Sequence, residues 1–434
     1  MAGRNDVNPD LDVFERARHD QRRELMELGR RAGAIPYFRV VESHAAPVVT
    51  MEGRDRLMLG SNNYLGLTED LRVKQAAHDA IDQYGTALTG SRLQNGTIPL
   101  HRELEEELAA WYGTEDALVF TSGYLANLGA ISALLRRGDA VVVDSLDHAS
   151  ILDGCNLSGA RLYPYAHNRI DKLDTMLGRA AEQGGAALVV VNTVLSMEGG
   201  VIDLAAVVES CCKHGVRLLA DEAHALGVLG ARGTGLTELF GLEDQVDLRM
   251  GTFSKSLASC GGFIAGPADV IDYLRVSARA FLFTVSAVPA AVGAALQAIR
   301  ICRSDEGPQL FARVLKNAAR LRDGVRELGF RTVDDLEAPD GTEFLTPIVP
   351  LRVGDETETI VLWNALWELG LYANVAVYPA VPPGQALIRM SVMATHDDSH
   401  LEQALEILAE AKSTLPQVEQ ALAERVPGAE PAWR

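Results

Sequence analysis

ALVVVN (187–192), RLLAD (217–221), LRMGTF (248–253) and GFIAG (262–266) decide the fold class. Each is a run of five or six residues in which apolar side chains outnumber polar ones. ALVF (117–120) and AVVVD (140–144) precede them, and the segments between carry helical periodicity. Short strands apolar on both faces, separated by helices, predict an α/β fold with a mostly parallel central sheet covered on both sides. One helix is legible in detail. After Ser122-Gly123, residues Leu125, Leu128, Ile131, Leu134 and Leu135 recur on one face until Arg136-Arg137-Gly138 ends it, so its N-terminus faces the end of ALVF.

Outward from this block the texture changes. Residues 11–33 read as an amphipathic helix, and an extended stretch through Pro36-Tyr37-Phe38-Arg39 leads towards Ser61, so residues 1–60 are expected to form a helix and arm. Residues 61–305 form the large domain. Beyond 305 come a long helix, TPIVPLRV (346–353), a helix through Leu362 to Leu369, LYANVAVYP (371–379) and ALIRMSV (386–392), which read as a smaller α+β domain over 306–415. Residues 416–434, rich in Glu, Ala and Pro, are expected to be a loosely held tail. There is no fixed-period repeat.

The 434 residues are 47% apolar and 23% charged, enough for a sizeable core. Lys and Arg total 40 against 59 Asp and Glu, a formal charge of −19. That balance argues against a general nucleic-acid or anionic-membrane surface and leaves any anionic ligand to a local site. Cys155, Cys211, Cys212, Cys260 and Cys302 show neither metal-ligand spacing nor a disulfide framework, which fits a reducing compartment and no metal. The polar N-terminal segment has no apolar signal-peptide core and no apolar run reaches membrane-spanning length, so a cytoplasmic protein without a membrane span is expected.

Four chemical parts then fall into order. Lys255, in Gly251-Thr252-Phe253-Ser254-Lys255-Ser256, leaves an apolar strand among small hydroxyl neighbours, although a lysine is more often a solvated surface charge. Asp221 ends RLLAD, where open α/β sheets gather ligand groups; by itself it also reads as a helix N-cap. Asp221-Glu222-Ala223-His224 resembles a helicase motif, but no GxxxxGK[ST] loop accompanies it, so an ATPase is rejected. Thr121-Ser122-Gly123-Tyr124 opens a helix whose free N–H groups suit a phosphate. His148, in Asp144-Ser145-Leu146-Asp147-His148-Ala149-Ser150, is placed to stack on a ring. A lysine for a Schiff base, a carboxylate for a pyridine nitrogen, phosphate donors and a stacking group are the requirements of pyridoxal 5'-phosphate (PLP).

The ordered set SNNYLGL (61–67), TGSRLQNGT (89–97), HRELEEELA (101–109), TSGYLAN (121–127), DSLDHASI (144–151), AHN (166–168), LSMEGG (195–200), DEAHALGVLG (221–230), TFSKS (252–256), FTVSAVP (283–289) and PAVPPGQALIRMSVMATH (379–396) resembles the α-oxoamine synthase family of fold-type I PLP enzymes, from about residue 36 to 410. That family includes 8-amino-7-oxononanoate synthase and serine palmitoyltransferase. The resemblance implies an aspartate aminotransferase-like fold, with Lys255 as the Schiff-base lysine, Asp221 as partner of the pyridine nitrogen and His148 as the stacking residue. It implies that His224 and Ser196 contact the ring's phenolic oxygen region. Ser122, Gly123, Tyr124 and Thr252 would hold the phosphate, with Thr284 reaching in from the second subunit of a homodimer. Arg389, whose alternative is a surface salt bridge, would bind the amino-acid carboxylate through its planar fork, with Asn63 and Ser91 lining the pocket. Two departures stand out: Asn192 where many relatives carry an acid, and Thr86-Ala87-Leu88-Thr89 in place of a glycine-rich stretch.

The implied reaction is a decarboxylative Claisen condensation of glycine, alanine or serine with an acyl thioester, giving an α-amino ketone, carbon dioxide and a thiol. His148 and His224 would polarise the thioester or β-keto oxygen. SNNYLGLT, SRLQNGT, MATH and the PYFR arm resemble the serine palmitoyltransferase-like bacterial branch, which implies a long acyl or polyketide chain carried by coenzyme A or an acyl carrier protein. Transamination or aldol cleavage on the same fold is the rival enzyme reading, and a non-catalytic PLP-binding subunit the rival of another class.

Overall fold

The computed structural model describes residues 33–332, 343–378 and 380–425, together with 13–18, 20, 23, 26–27 and 29–30. The start of the expected N-terminal helix, Pro379 and the last residues of the expected tail lie outside the described residues. Strands in chain order are β1 (Val48–Met51), β2 (Arg54–Met58), β3 (Asp116–Phe120), β4 (Ala140–Asp144), β5 (Arg161–Tyr165), β6 (Ala187–Asn192), β7 (Arg217–Asp221), β8 (Leu248–Thr252), β9 (Gly262–Gly266), β10 (Ile348–Gly354), β11 (Leu371–Tyr372), β12 (Asn374–Ala376) and β13 (Ala386–Ser391).

Seven of them form one sheet in the order β3-β9-β8-β7-β6-β4-β5. β5, β4, β6, β7 and β8 run parallel, and β9 is antiparallel to both β3 and β8. Because successive side chains of a strand point to opposite faces, each strand serves two cores. Val142, Val189, Val191 and Ala220 enter one apolar cluster, while Val141, Val143, Val190 and Leu219 enter the other. This is why the runs read as continuously apolar.

The helix Gly123–Leu134 forms where expected, but its buried face differs from the leucine stripe. Ala126, Asn127, Gly129, Ala130 and Ile131 are buried, whereas Leu125, Leu128 and Leu134 are only half-buried. The reason is close approach. A Cβ on Gly129 would stand 2.8 Å from the Phe120 ring, so only small side chains fit between this helix and the sheet.

The smaller unit is built on β10-β13-β12, all antiparallel, flanked by helices Gly307–Glu327, Glu356–Glu368 and Asp398–Arg425. The last helix continues through Pro416 to Arg425, where the composition had pointed to a tail. The arm before residue 61 is not purely extended. β1 and β2 form a hairpin, and β2 pairs in parallel with β11 at Leu57–Leu371 and Met58–Tyr372. That pairing ties the arm to the C-terminal unit across more than three hundred residues.

Candidate active site

The carboxyl ends of the parallel strands converge, and each delivers a polar group there, as open α/β sheets do. After β3 the chain enters the helix Gly123–Leu134, with the Ser122 side chain accepting the Leu125 N–H as N-cap. β8 ends at Thr252, in register with Gly262 of β9. A Cβ on Gly123 would lie 2.8 Å from Thr252 Oγ1, and one on Gly262 would lie 2.5 Å from the Gly123 Cα. The two glycines therefore admit a helix N-terminus against the Thr252 hydroxyl, which itself donates to the Gly261 carbonyl at 3.0 Å. Free N–H groups, the hydroxyls of Thr252 and Ser254 at 2.9 Å from each other, and no side chain in the way make a phosphate cradle.

Asp221 is 3% exposed at the end of β7. Its Oδ1 accepts the Ala223 N–H at 2.9 Å and its Oδ2 accepts the Asn127 amide at 2.7 Å. Asn127, which sequence reading passed over inside TSGYLAN, also donates to Ser150 Oγ at 3.0 Å. His148 caps the helix Ala149–Ser158, with Nδ1 2.8 Å from Ser150 Oγ, and its ring stands edge-on to Tyr124 at 6.3 Å between centroids. Burial lowers its pKa, the Asp221 carboxylate opposes that, and Lys255 adds to it.

Lys255 is half-buried after β8, and loss of hydration pushes its ammonium down to about 7; Asp221 resists the shift and Arg389 reinforces it. Burial pushes the His224 imidazole well below its ordinary value, and the charges that Lys255, Arg389 and His148 carry when protonated add to the shift. Its Nδ1 is 2.7 Å from the Tyr64 hydroxyl. Arg389, on β13 and 3% exposed, is no surface salt bridge. Its Nε donates to the Ser196 carbonyl at 2.5 Å, and its Nη2 donates to Asn62 Oδ1 at 3.0 Å. Lys255 thus feels Asp221 and Arg389, His224 feels Lys255, Arg389 and His148, and His148 feels Asp221 and Lys255.

Other expected residues stand differently. Ser196 meets Arg389 through its carbonyl, and Asn63 turns towards the arm, where its amide donates to Thr68 Oγ1 at 2.8 Å and to the Ala45 carbonyl at 3.3 Å. It is Asn62 that reaches Arg389. Tyr124 is bound through its hydroxyl to Asp153. Ser91 and Thr284 share a second corner, where the Ser286 N–H donates to the Gly90 carbonyl at 2.9 Å. Thr284 is half-buried between exposed Phe283 and Val285. In the loop that departs from a glycine-rich stretch, Thr89 holds φ 55°, a left-handed conformation uncommon for a β-branched residue. Among the described residues no cluster of three His, Cys, Asp or Glu is arranged to hold a metal ion.

Residues 54–408 match the family model described as aminotransferase class I and II. The chain belongs to that family. Serine palmitoyltransferase from Sphingobacterium spiritivorum is 41% identical over 88% of this chain and 93% of its own length. 8-Amino-7-oxononanoate synthase from Geobacter sulfurreducens is 42% identical over 89% of this chain and 96% of its own. A solved serine palmitoyltransferase from Sphingomonas wittichii superimposes with a TM-score of 0.87 at 36% identity, covering 94% of this chain and 99% of that one. Another, from S. paucimobilis with bound PLP-myriocin aldimine, gives 0.87 at 34% identity over 94% and 100%.

As a member of the aminotransferase class I and II family, and one with serine palmitoyltransferase and 8-amino-7-oxononanoate synthase relatives, the chain is a PLP-dependent acyltransferase of the α-oxoamine synthase group. Its fold is the fold-type I architecture, and PLP is its cofactor. The residues present fit that group: a glycine-cleared helix N-terminus for the phosphate, a buried carboxylate at Asp221, and a half-buried lysine whose pKa, lowered to about 7, leaves a substantial share of neutral amine at pH 7.

Proposed function

We propose that the enzyme condenses glycine, alanine or serine with a long-chain or polyketide acyl thioester, delivered by coenzyme A or an acyl carrier protein, and releases carbon dioxide, free thiol and an α-amino ketone. Bound PLP supplies an electron sink for the negative charge that develops at the amino-acid Cα. The observation that carries the reading is the buried Arg389 guanidinium in the same pocket as a neutral-prone Lys255.

Arg389 binds the substrate carboxylate, replacing hydrogen bonds it now gives to neutral oxygens by charge-assisted ones. Lys255, whose lowered pKa leaves a substantial share of free amine near pH 7, takes the Cα proton and later returns one. Asp221, fixed by Asn127 and the Ala223 N–H, holds a proton on the pyridine nitrogen through its negative charge. His148 covers the ring, and Ser122, Gly123, Tyr124 and Thr252 hold the phosphate, with Ser196 near the phenolic oxygen. His148 and His224 stabilise the oxyanion that forms on the thioester carbonyl. Asn63 and Ser91 shape the pocket mouth, the latter from the loop bound to the Thr284 segment. Thr284 serves the second subunit of a homodimer whose contact includes exposed Leu93, Phe283, Val285 and Val288. None of the described helices is long and apolar enough to cross a membrane, and we place the enzyme in the cytoplasm.

The test is an absorbance titration of the PLP-loaded protein with glycine, L-alanine and L-serine, followed by thiol release from acyl-CoAs of graded length. A spectral change with one amino acid and thiol release with one chain class support the reading. Formation of an oxo acid with no thiol release contradicts it and indicates transamination.

A further inference from the structure

Tyr64 lies in the turn after β2, fully buried at 0% exposure, and is absent from the roles assigned above. Its hydroxyl has three polar neighbours: His224 Nδ1 at 2.7 Å, Asn62 Oδ1 at 3.3 Å and Arg389 Nη2 at 3.4 Å. A guanidinium only donates, so towards Arg389 the phenolic oxygen accepts. Its single proton then goes either to His224 or to Asn62. Asn62 Oδ1 already accepts the shorter 3.0 Å bond from Arg389, and the His224 contact is 0.6 Å shorter than the Asn62 one.

We infer that Tyr64 is a positioning residue that donates to His224 Nδ1 and so holds that imidazole as the neutral Nε2–H tautomer, a hydrogen-bond donor on the edge turned away from Tyr64. Neutral imidazole carries one N–H, and a hydrogen bond at one nitrogen decides where the proton sits on the other. Burial, with the Arg389 guanidinium adding to it, keeps the ring from taking a second proton. Burial also keeps the phenol protonated. A donor edge is the form of histidine that stabilises an oxyanion; the opposite tautomer would present a lone pair and repel it. The kinetic consequence rests on the condensation reading, whereas the tautomer does not.

The test is 15N NMR of the PLP-loaded protein labelled at histidine, with the His224 resonances assigned by comparison with His224→Gln. The wild type is expected to show an unprotonated Nδ1 and a protonated Nε2. Tyr64→Phe, which keeps the ring and removes the hydroxyl, is expected to shift His224 towards a mixture of tautomers and to slow thiol release by about tenfold or more. An Nδ1–H tautomer in the wild type overturns the inference without any variant, and so does an unchanged tautomer in Tyr64→Phe. If the wild type releases no thiol at all, the condensation reading fails while the NMR result still decides the role of Tyr64.

Discussion

The side-chain oxygen of Asn192 accepts the backbone N–H of His148 at 2.7 Å, while the Asn192 N–H donates to Asp147 Oδ1 at 2.7 Å. Asn192 therefore performs an acceptor's task towards one neighbour and a donor's towards another. It fixes the loop that carries His148, and an amide does so without adding charge beside Asp147, whose carboxyl burial and Asp144 already push well above its usual range.

Asn192→Ala leaves the His148 N–H without its acceptor. The expected loss is about 0.5–1.5 kcal/mol of stability, the usual net worth of a hydrogen bond whose donor water can reach. Denaturant unfolding of the PLP-loaded protein measures it, and weaker PLP retention on dilution is expected alongside.

Asp221→Asn keeps the shape and the hydrogen bond from Asn127 in altered form but removes the charge. PLP is expected to remain bound, with thiol release reduced by more than about a hundredfold, the scale of losing one preorganised electrostatic group. Parallel absorbance and steady-state assays separate the two effects.

Lys255 makes the cofactor-free protein pH-dependent with a definite sign. Its folded pKa, near 7, lies below its unfolded value, so the unfolded chain binds the extra proton between them and stability rises as pH increases through that window. Below pH 7 the full cost of a buried ammonium is present. Lys255→Met in the apoprotein is therefore expected to melt at higher temperature than wild type below pH 7, with the gap closing towards pH 10. Thermal melts across that range check the trend.

Much of the fold was legible because its strands are buried on both faces and read as uninterrupted apolar runs. β5 escaped for the same physical reason: as an edge strand of sequence RLYPY, with exposed Arg161 and Pro164, it carries neither pattern. The pairing of β2 with β11 was invisible to any local pattern. In the site, Lys255, Asp221, His148, His224 and Arg389 stood out as candidates because motifs surround them. Asn62, Tyr64 and Asn127 were missed because an amide or phenol in a loop or helix gives no signal until a partner is seen. Which of the neighbouring Asn62 and Asn63 side chains accepts from Arg389 is a matter of backbone direction that the sequence does not carry.

Behind the Ser91 loop, Arg92 Nη2 donates to Glu105 Oε2 at 3.0 Å with both residues buried, and Glu105 Oε1 accepts the Val119 N–H at 3.1 Å. Glu105→Ala strands a buried guanidinium, and the expected cost is about 3–5 kcal/mol. A large drop in the denaturation midpoint is the readout, and Glu105→Gln is expected to recover part of it.

The most direct measurement of the central claim uses amino acid labelled with 14C at the carboxyl carbon, incubated with the enzyme and an acyl-CoA, with carbon dioxide and free thiol counted together. The account predicts one labelled carbon dioxide for each thiol released, and loss of both in Arg389→Ala. Thiol release with the label retained in the product, or an oxo acid carrying the label, would contradict it.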